Sequence, residues 1–409
     1  MAARTLERDL NADRSDYVGP VARCRCGALA RYVGRRTKRI LTALGPLVLE
    51  RAYYHCPTCG EGFFPRDRQL GIEGRSLSPG VTRMVGLVGA ATSFEEGGTL
   101  LRELAGVDIG AKRVERVAKQ LGTELAAIER EDMAPELDRP VPPTLYVGID
   151  GTGVPMRAAE VAGRSGKQPD GSARTREVKL CVVWSAEGRD VKGRPMRDPG
   201  SLTYTAAIER AAARDTDEQA SEFARRALRE SARRRFEHAA RRVVLGDGAP
   251  WIWNLAGEQF PGAIEIVDLF HAKQHLSELA AALWGAGSED SVRWLTPRYE
   301  ELEAGNIDAL IAQIEVHSNH SEDARKAAQY FRTNRHRMRY RAFRHAGLCT
   351  STGVVEAACK HTIGTRLKRP GMHWSVFGAN AITALRCAVL SHRFDRLLLE
   401  RPRSDRAAA

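Results

Sequence analysis

The chain has 409 residues, 43% hydrophobic, 28% charged and 6% aromatic, which excludes disorder throughout and leads us to expect two or three domains. Its net charge of +12 points to an anionic partner, and nucleic acid is the usual one. The charged start MAARTLERDL lacks an apolar h-region and no apolar run approaches the ~18 residues of a membrane span, so a cytoplasmic protein with no membrane partner is expected.

Residues 1–20 are polar and read as a flexible N-terminus. In residues 21–70, Cys24-x-Cys26 and Cys56-Pro57-Thr58-Cys59-Gly60 form two knuckles separated by 29 residues. Two thiolate pairs on tight turns complete a saturated tetrahedral site, so Cys24, Cys26, Cys56 and Cys59 are read as holding one structural Zn²⁺ in a zinc ribbon. The segments Arg31–Val33 and Leu47–Leu49 alternate like short strands. The four remaining cysteines are scattered and suit small buried hydrophobes. Residues 71–132 change to helical spacing, broken at Gly106-Val107-Asp108-Ile109. This is either the turn of a helix-turn-helix, with Lys112, Arg113 and Arg116 facing DNA phosphates, or a plain helical hairpin with a solvated charged face. Residues 133–143 carry four prolines and read as a linker.

The stretch 144–284 alternates. Strands are expected at Thr144–Asp150, Val178–Trp184, Ser201–Thr205, about 241–247 and Ala263–Val267. Helices are expected at Thr216–Arg242, Trp251–Gln259 and His271–Leu283. The arginines of 225–242 read as a solvated face because Glu222, Glu230 and Glu237 are mixed among them. Residues 285–345 are helical, 346–399 form closing helices, and 400–409 are a basic tail. The order βββ-α-β-α-β, then an all-helical insertion, then closing helices, is that of an RNase H-like α/β catalytic domain. The fold class is therefore multidomain α+β: zinc ribbon, helical DNA-binding region, and RNase H-like core in two parts, 144–284 and 346–399.

Two of the expected strands end alike. Asp150 closes Leu145–Ile149 and Asp247 closes Val243–Gly246, each followed by Gly. An apolar strand ending in Asp-Gly projects a carboxylate from the sheet, where two acids can share a divalent ion. Glu356, in the first turns of a helix, is the third acid that two metals would need, and Lys360 lies one turn further on the same face. For each acid alone, a turn or cap role is the plainer reading; the three together, on β, β and α elements, favour chemistry.

The segments TLYVGIDGTGVPM, VVLGDGAPWIWNLA…FPGAIEIVDLFHAKQHL and STGVVEAACKHTIGTRLKRPGMHWS resemble the catalytic segments of DDE transposases of bacterial insertion sequences, the ISKra type related to Mutator-like transposases. The resemblance spans about residues 20–395. It implies that Asp150, Asp247 and Glu356 are a DDE triad binding two Mg²⁺ (or Mn²⁺). It also implies that the 108 residues between the last two acids include an all-helical insertion. The implied activity is DNA cleavage and strand transfer at element ends, by a nucleoid-associated homo-oligomer acting on terminal repeats and target DNA. Two rivals stand beside it: a nuclease or resolvase that only hydrolyses, and a non-enzymatic zinc DNA-binding regulator derived from a transposase. Asp268 and His271 resemble the acid-x-x-His signature that follows the second acid, which implies a supporting role near the metals; the alternative is that Asp268 merely caps the helix of His271. A His there that titrates near neutrality would make cleavage sensitive to pH between about 6 and 7.

Two basic stretches complete the reading. Ala324–His345 carries eight Lys/Arg and no acid, interleaved with Tyr330, Phe331, Tyr340 and Phe343. After Glu356 and Lys360, Thr365–Trp374 adds Arg366, Lys368, Arg369, His373 and Trp374, read as DNA phosphate contacts with an aromatic for base stacking.

Overall fold

The computed structural model describes residues 2–166, 168–211, 220–351 and 353–401. The expected helix start at 216–219 and most of the basic tail therefore lie outside the described residues. The fold is mixed α+β, and the chain divides into two compact units, residues 1–128 with 392–409, and residues 129–391.

The first unit opens with helix α1 (Ala2–Ala12), where a flexible terminus was expected. It continues through strands β1 (Val21–Arg23), β2 (Leu29–Thr42), β3 (Gly45–His55) and β4 (Gly62–Phe63), an antiparallel sheet in that order. The strands β2 and β3 form one long hairpin, with a register shift at Tyr32/Gly34. Helix α1 is held because it satisfies open backbone groups of β3. Asn11 donates to the Val48 carbonyl (2.8 Å) and accepts from the Glu50 N–H (2.9 Å), while Glu7 accepts from the Val48 N–H (2.7 Å). Its apolar side, Ala3, Leu6 and Leu10, packs on Ile40, Leu47, Leu49 and Ile72. The polar composition of 1–20 concealed this because the partner lies some 40 residues downstream.

A short α2 (Pro65–Gln69) leads to α3 (Pro79–Ala91), α4 (Phe94–Ala105) and α5 (Ala111–Glu131). A Ser93/Glu96 capping box starts α4, and Gly106 at φ +63 ends it. Val81, Val85, Leu101, Val107, Ile109 and Val114 form their common core. Gly98 is required here: a Cβ on it would lie 2.7 Å from the Ile109 carbonyl oxygen, so only glycine lets the turn after α4 fold back so closely.

In the second unit, β5 (Thr144–Pro155), the one-turn helix α6 (Ala158–Val161) and β6 (Thr175–Ser185) are followed by a small hairpin, β7 (Gly188–Arg189) and β8 (Pro195–Met196), and by β9 (Thr203–Ala207). Then come α7 (Glu222–Arg233), β10 (Arg241–Gly246), α8 (Pro250–Gln259), β11 (Ile264–Val267) and α9 (Leu269–Trp284). The five long strands form one sheet ordered β11-β10-β5-β6-β9. β5, β6 and β9 run antiparallel in succession; β10 joins the other side of β5 in parallel, and β11 joins β10 in parallel. The apolar runs Thr144–Ile149 of β5 and Leu180–Ser185 of β6 are buried, while the ends of the two strands beyond them are mostly half-buried or exposed. Helices α10 (Glu289–Ala304), α11 (Ile307–Glu315), α12 (Glu322–Asn334) and α13 (Tyr340–His345) follow. Next come α14 (Gly353–Cys359), a π-helical turn at Lys360–Gly364, α15 (Thr365–Leu367) and α16 (Val376–Leu390).

Three expectations need correction. The proline-rich stretch 133–143 is not the boundary between the units, which falls at Ile128/Glu129. It is tied into the second unit, where the Glu136 N–H donates to the Arg233 carbonyl (2.8 Å) and the Arg241 N–H to the Pro143 carbonyl (2.9 Å). The last helix, α17 (Phe394–Glu400), does not close the second unit but belongs to the first. There Asp395 takes two bonds from Arg83 (2.6 and 3.0 Å) and the Phe394 ring packs against Gly86. Finally, α7 stops at Arg233 and its arginines are not a solvated face. Arg226 is paired with Glu209 (2.6 and 2.9 Å), Arg233 with Glu230 (3.0 Å), and all four are shielded from solvent.

Candidate active site

The sheet register sets the two acids side by side. Gly148 lies opposite Leu245 on parallel strands, and Asp150 and Asp247 each stand two residues further on. Asp247 follows the end of β10 as expected, but Asp150 does not close its strand: β5 stays paired with β6 as far as Pro155, so Asp150 lies within it. Gly246 is likewise level with Val267, so Asp268 leaves the sheet beside Asp247 on its other flank. Three carboxylates thus stand level on three adjacent strands, where β10 and β11 end and β5 runs on. A parallel pairing that continued would keep them apart by one strand spacing, roughly 4.8 Å.

Helix α14 supplies the fourth. It packs on β5 at Gly148, where a Cβ would sit 2.4 Å from Val355 Cγ2 and 2.8 Å from the Trp184 ring. Any larger residue at 148 would push away the helix that carries Glu356. Glu356 itself is half-exposed and paired with Lys360 (2.7 Å), whose ammonium holds its carboxyl below the usual range. It also feels the charge of His271, which in turn feels Asp247 and Asp150, so the four groups share one electrostatic neighbourhood.

The pairing of these acids is unusual. Asp150 accepts from the Gly151 N–H (2.6 Å) and the Cys359 thiol, and Asp247 accepts from the Ala249 N–H (2.8 Å). Neither has a Lys or Arg ion-pair partner among the described residues. Burial, reinforced by the charge of Asp247, pushes the Asp150 carboxyl above its ordinary value despite those two donors. Asp268 is buried; it caps α9 through the Phe270 N–H (2.7 Å) and meets His271 Nδ1 at 3.1 Å. The cap reading of Asp268 and a place beside the acids are therefore both realised. The Asp268 carboxylate, with the charges of Asp247 and Asp150, raises His271 above its usual 6.5.

Two side chains singled out for other reasons, Tyr330 as an aromatic of a basic stretch and Lys368 as a phosphate contact, reach the acids through partners the sequence did not show. Tyr330 of α12 donates to the Asp247 main-chain carbonyl (3.0 Å), and Lys368 donates to Thr152 Oγ1, just beyond Asp150. Cys359 had a usable signal, since it lies three residues after Glu356 on the same helix. Burial and the neighbouring Asp150 raise its thiol far above the usual value, so it is a donor rather than a nucleophile.

The basic residues divide. Lys360, Lys368 and His373 are exposed, Arg369 is half-buried, and Lys112 and Arg116 are exposed on α5. Arg113 is turned to Ser76, with 2.8 Å to its Oγ. Arg366 and Trp374 are corrections. Arg366 is fully buried 5.3 Å from the centre of the Trp374 ring, and Trp374, 6% exposed, donates its indole N–H to the Leu367 carbonyl (2.9 Å). They form the scaffold behind the π-helical turn and present nothing to DNA. In Ala324–His345 the aromatics Phe331, Tyr340 and Phe343 are buried, and acids from elsewhere neutralise several cations: Arg337 meets Glu265 (2.6 Å), and Arg344 meets Glu303 (3.2 Å). The exposed remainder is Arg335, Arg339 and Arg341.

In the first unit the two cysteine knuckles close on each other. Cys24 Sγ lies 3.6 Å from Cys59 Sγ, and Cys26 Sγ lies 3.6 Å from Cys56 Sγ. All four sulfurs fall within 4.8 Å of one another, which matches the edges of a tetrahedron with ~2.3 Å metal–sulfur bonds. Backbone N–H groups of Cys59 and Thr58 lower the Cys56 thiol to about 6. The cluster could hold a structural metal such as zinc. Among the described residues no other group of three or more His, Cys, Asp or Glu ligand atoms is drawn so tightly together, the acids at the sheet end included.

A family model described as Uncharacterised protein family (UPF0236) matches residues 30–396. The chain belongs to UPF0236. A comparison with curated proteins gives no match. The match to UPF0236 takes in Cys56 and Cys59 but neither Cys24 nor Cys26, and it takes in Asp150, Asp247, Asp268 and Glu356. No helix of the described residues is long and apolar enough to cross a membrane.

Proposed function

We propose that this UPF0236 chain is a DDE-type transposase that cleaves and transfers DNA strands at the ends of an insertion sequence. The observation that carries the reading is the acid pair: Asp150 and Asp247, level on adjacent parallel strands, with no Lys or Arg ion-paired to either among the described residues. Two half-buried carboxylates set side by side repel, and a bound divalent cation would remove that cost. Their donor set is hard oxygen, which suits Mg²⁺ or Mn²⁺ rather than zinc. Strand order supports the same reading, because an antiparallel trio with two strands added in parallel beyond the first is the RNase H-like arrangement.

Asp150 and Asp247 would hold the ions, with Glu356 completing the set once it leaves Lys360. Bound there, two divalent ions would lower the nucleophile's pKa and take up charge developing on the phosphate. The chain's own residues do the rest. Cys359 and the Gly151 N–H fix one rotamer of Asp150, and the Ala249 N–H fixes that of Asp247. His271, held by Asp268, has its proton affinity raised, and when protonated it would meet a scissile phosphate as a cation. Lys360, Lys368 and His373 would bind flanking phosphates, and Lys112 and Arg116 of the α4–α5 hairpin would bind DNA further from the cut. The cysteine cluster would carry one structural Zn²⁺, with the protein acting as a homo-oligomer on element ends in the nucleoid.

The test uses purified chain, Mg²⁺, and DNA carrying the sequences that flank its own coding region. Strand-specific nicking followed by joining to target DNA is expected; hydrolysis without joining would make it a nuclease, and binding without cleavage a regulator. Asp150→Asn, Asp247→Asn and Glu356→Gln should each abolish cleavage and spare binding. Near-wild-type cleavage by any one of them removes that acid from the site.

A further inference from the structure

Taking Asp247 as a metal ligand, as proposed above, we infer that Tyr330 is the positioning residue through which the helical segment 289–345 sets the Asp247 turn. The turn is built tightly. Asp247 follows the last residue of β10, its carboxylate accepts from the Ala249 N–H, and the buried Gly248 between them adopts φ +96. The Tyr330 ring covers this glycine so closely that a Cβ there would stand 2.6 Å from ring carbon and hydroxyl alike. Its hydroxyl donates to the Asp247 main-chain carbonyl at 3.0 Å. The ring is set in turn by His275 of α9, with centroids 4.0 Å apart, and its own carbonyl accepts from Asn334 (3.1 Å).

A second tyrosine of the segment repeats the device one strand over. Tyr340, fully buried, donates to the Val267 carbonyl at 3.0 Å, one residue before Asp268. Two helices of the segment thus each pin the exit of one parallel strand, and each pinned exit bears an acid. A carbonyl at a strand end has lost its ladder partner, and a phenol from a packed helix both satisfies it and fixes the peptide that follows. The helices between Asp247 and Glu356 therefore act on the chemistry through the backbone of the acid that precedes them.

The test compares Tyr330→Phe with Tyr340→Phe in the full chain. In metal-free protein, hydrogen exchange of amides 247–249 should quicken in Tyr330→Phe by roughly three- to tenfold, the worth of one net hydrogen bond. Tyr340→Phe should quicken exchange at 267–269 and leave 247–249 protected. Mn²⁺ binding without DNA, followed by electron paramagnetic resonance of the free ion, should weaken about tenfold in Tyr330→Phe. Cleavage by that variant should recover at high Mg²⁺, which a merely structural defect would not allow. If Tyr330→Phe does not fold, His275→Leu, which removes the ring beneath Tyr330, should show the same exchange pattern. Unchanged exchange and unchanged Mn²⁺ affinity overturn the positioning role. Faster exchange in a protein whose wild type binds no Mn²⁺ overturns the metal-ligand reading of Asp247 while upholding the pinning itself.

Discussion

The two units bury carboxylates in opposite ways. In the first, Asp16 and Asp67 are almost wholly shielded, and each is surrounded by cations: Asp16 by Arg35 (3.0 Å) and Arg66 (3.4 Å), Asp67 by Arg51 (2.7 Å) and Lys38 (2.9 Å). In the second, Glu209 and Glu230 are saturated by arginine in the same way, yet Asp150 and Asp247 meet only N–H and S–H donors. A buried acid with its guanidinium is finished architecture. Two half-buried acids side by side without such a partner leave their repulsion for a cation to relieve, and we propose that a bound metal ion does so. The contrast is between carboxylates whose charge the fold neutralises with arginine and lysine and a pair whose charge it does not, although both kinds look alike in sequence.

The largest effect expected is on the cysteine cluster, where the first unit does lean on an outside charge. Purified protein should contain about one zinc per chain, and cobalt exchange should give sulfur-to-metal absorption bands. Chelation should unfold the β1–β4 sheet, since structural zinc supplies on the order of 10 kcal/mol in small modules. A chelated protein with unchanged melting, or cobalt without those bands, counts against the site. Next in size, Asp67→Asn should destabilise the chain by ~3 kcal/mol, because it strands Arg51 and Lys38 in a nearly dry site. Asp150→Asn should do the reverse in metal-free protein, gaining stability by removing a repelled charge. Denaturant melts of the two variants read the contrast directly, and a loss of stability in both would dissolve it.

The smallest effect concerns pH. Burial pushes Glu209 up, but the two-fold bond from Arg226 outweighs it and leaves the carboxyl below its ordinary 4.5. A lowered folded-state value means the stabilisation is present above about 4.5 and is lost as pH falls through the folded value. Melting temperature measured from pH 6 to pH 3 should therefore fall less steeply in Glu209→Gln than in wild type. Parallel acid limbs in the two proteins would show that the pair contributes nothing to acid unfolding.

What could be read from the sequence was whatever depends on near neighbours. The knuckles at Cys24–Cys26 and Cys56–Cys59 are fixed by spacing, and the strand ending at Asp247 by a few contiguous residues; at Asp150 the same Asp-Gly pattern misled, because pairing with β6 carries β5 on to Pro155. The turn at Gly106 was visible because glycine at a helix end has a local backbone reason. What failed depended on distant partners. Arg366 and Trp374 looked like a DNA-facing pair because charge and aromaticity sit together, yet the ring and the guanidinium cover each other in the interior. The arginines of α7 looked solvated because their acids were sought within the helix, whereas Arg226 is paired with Glu209, 17 residues earlier. The bond from Tyr330 had no signal, since the carbonyl that accepts it lies 83 residues away.

The return of α17 to the first unit has a temporal consequence. The N-terminal part of the first unit is made before the second unit, but the Asp395 partner of Arg83 and the Phe394 ring against Gly86 are made only after it. The whole second unit must leave the ribosome before the first can be completed, so the usual order, with the N-terminal part finished first, cannot apply in full. While the second unit is being made, Gly86 and Arg83 wait uncovered. A chain stopped anywhere before residue 392 carries a first unit that lacks its closing helix. Truncation from the C-terminus should therefore be felt at the N-terminal end of the sequence, a little past residue 80, rather than at the sheet where the acids meet.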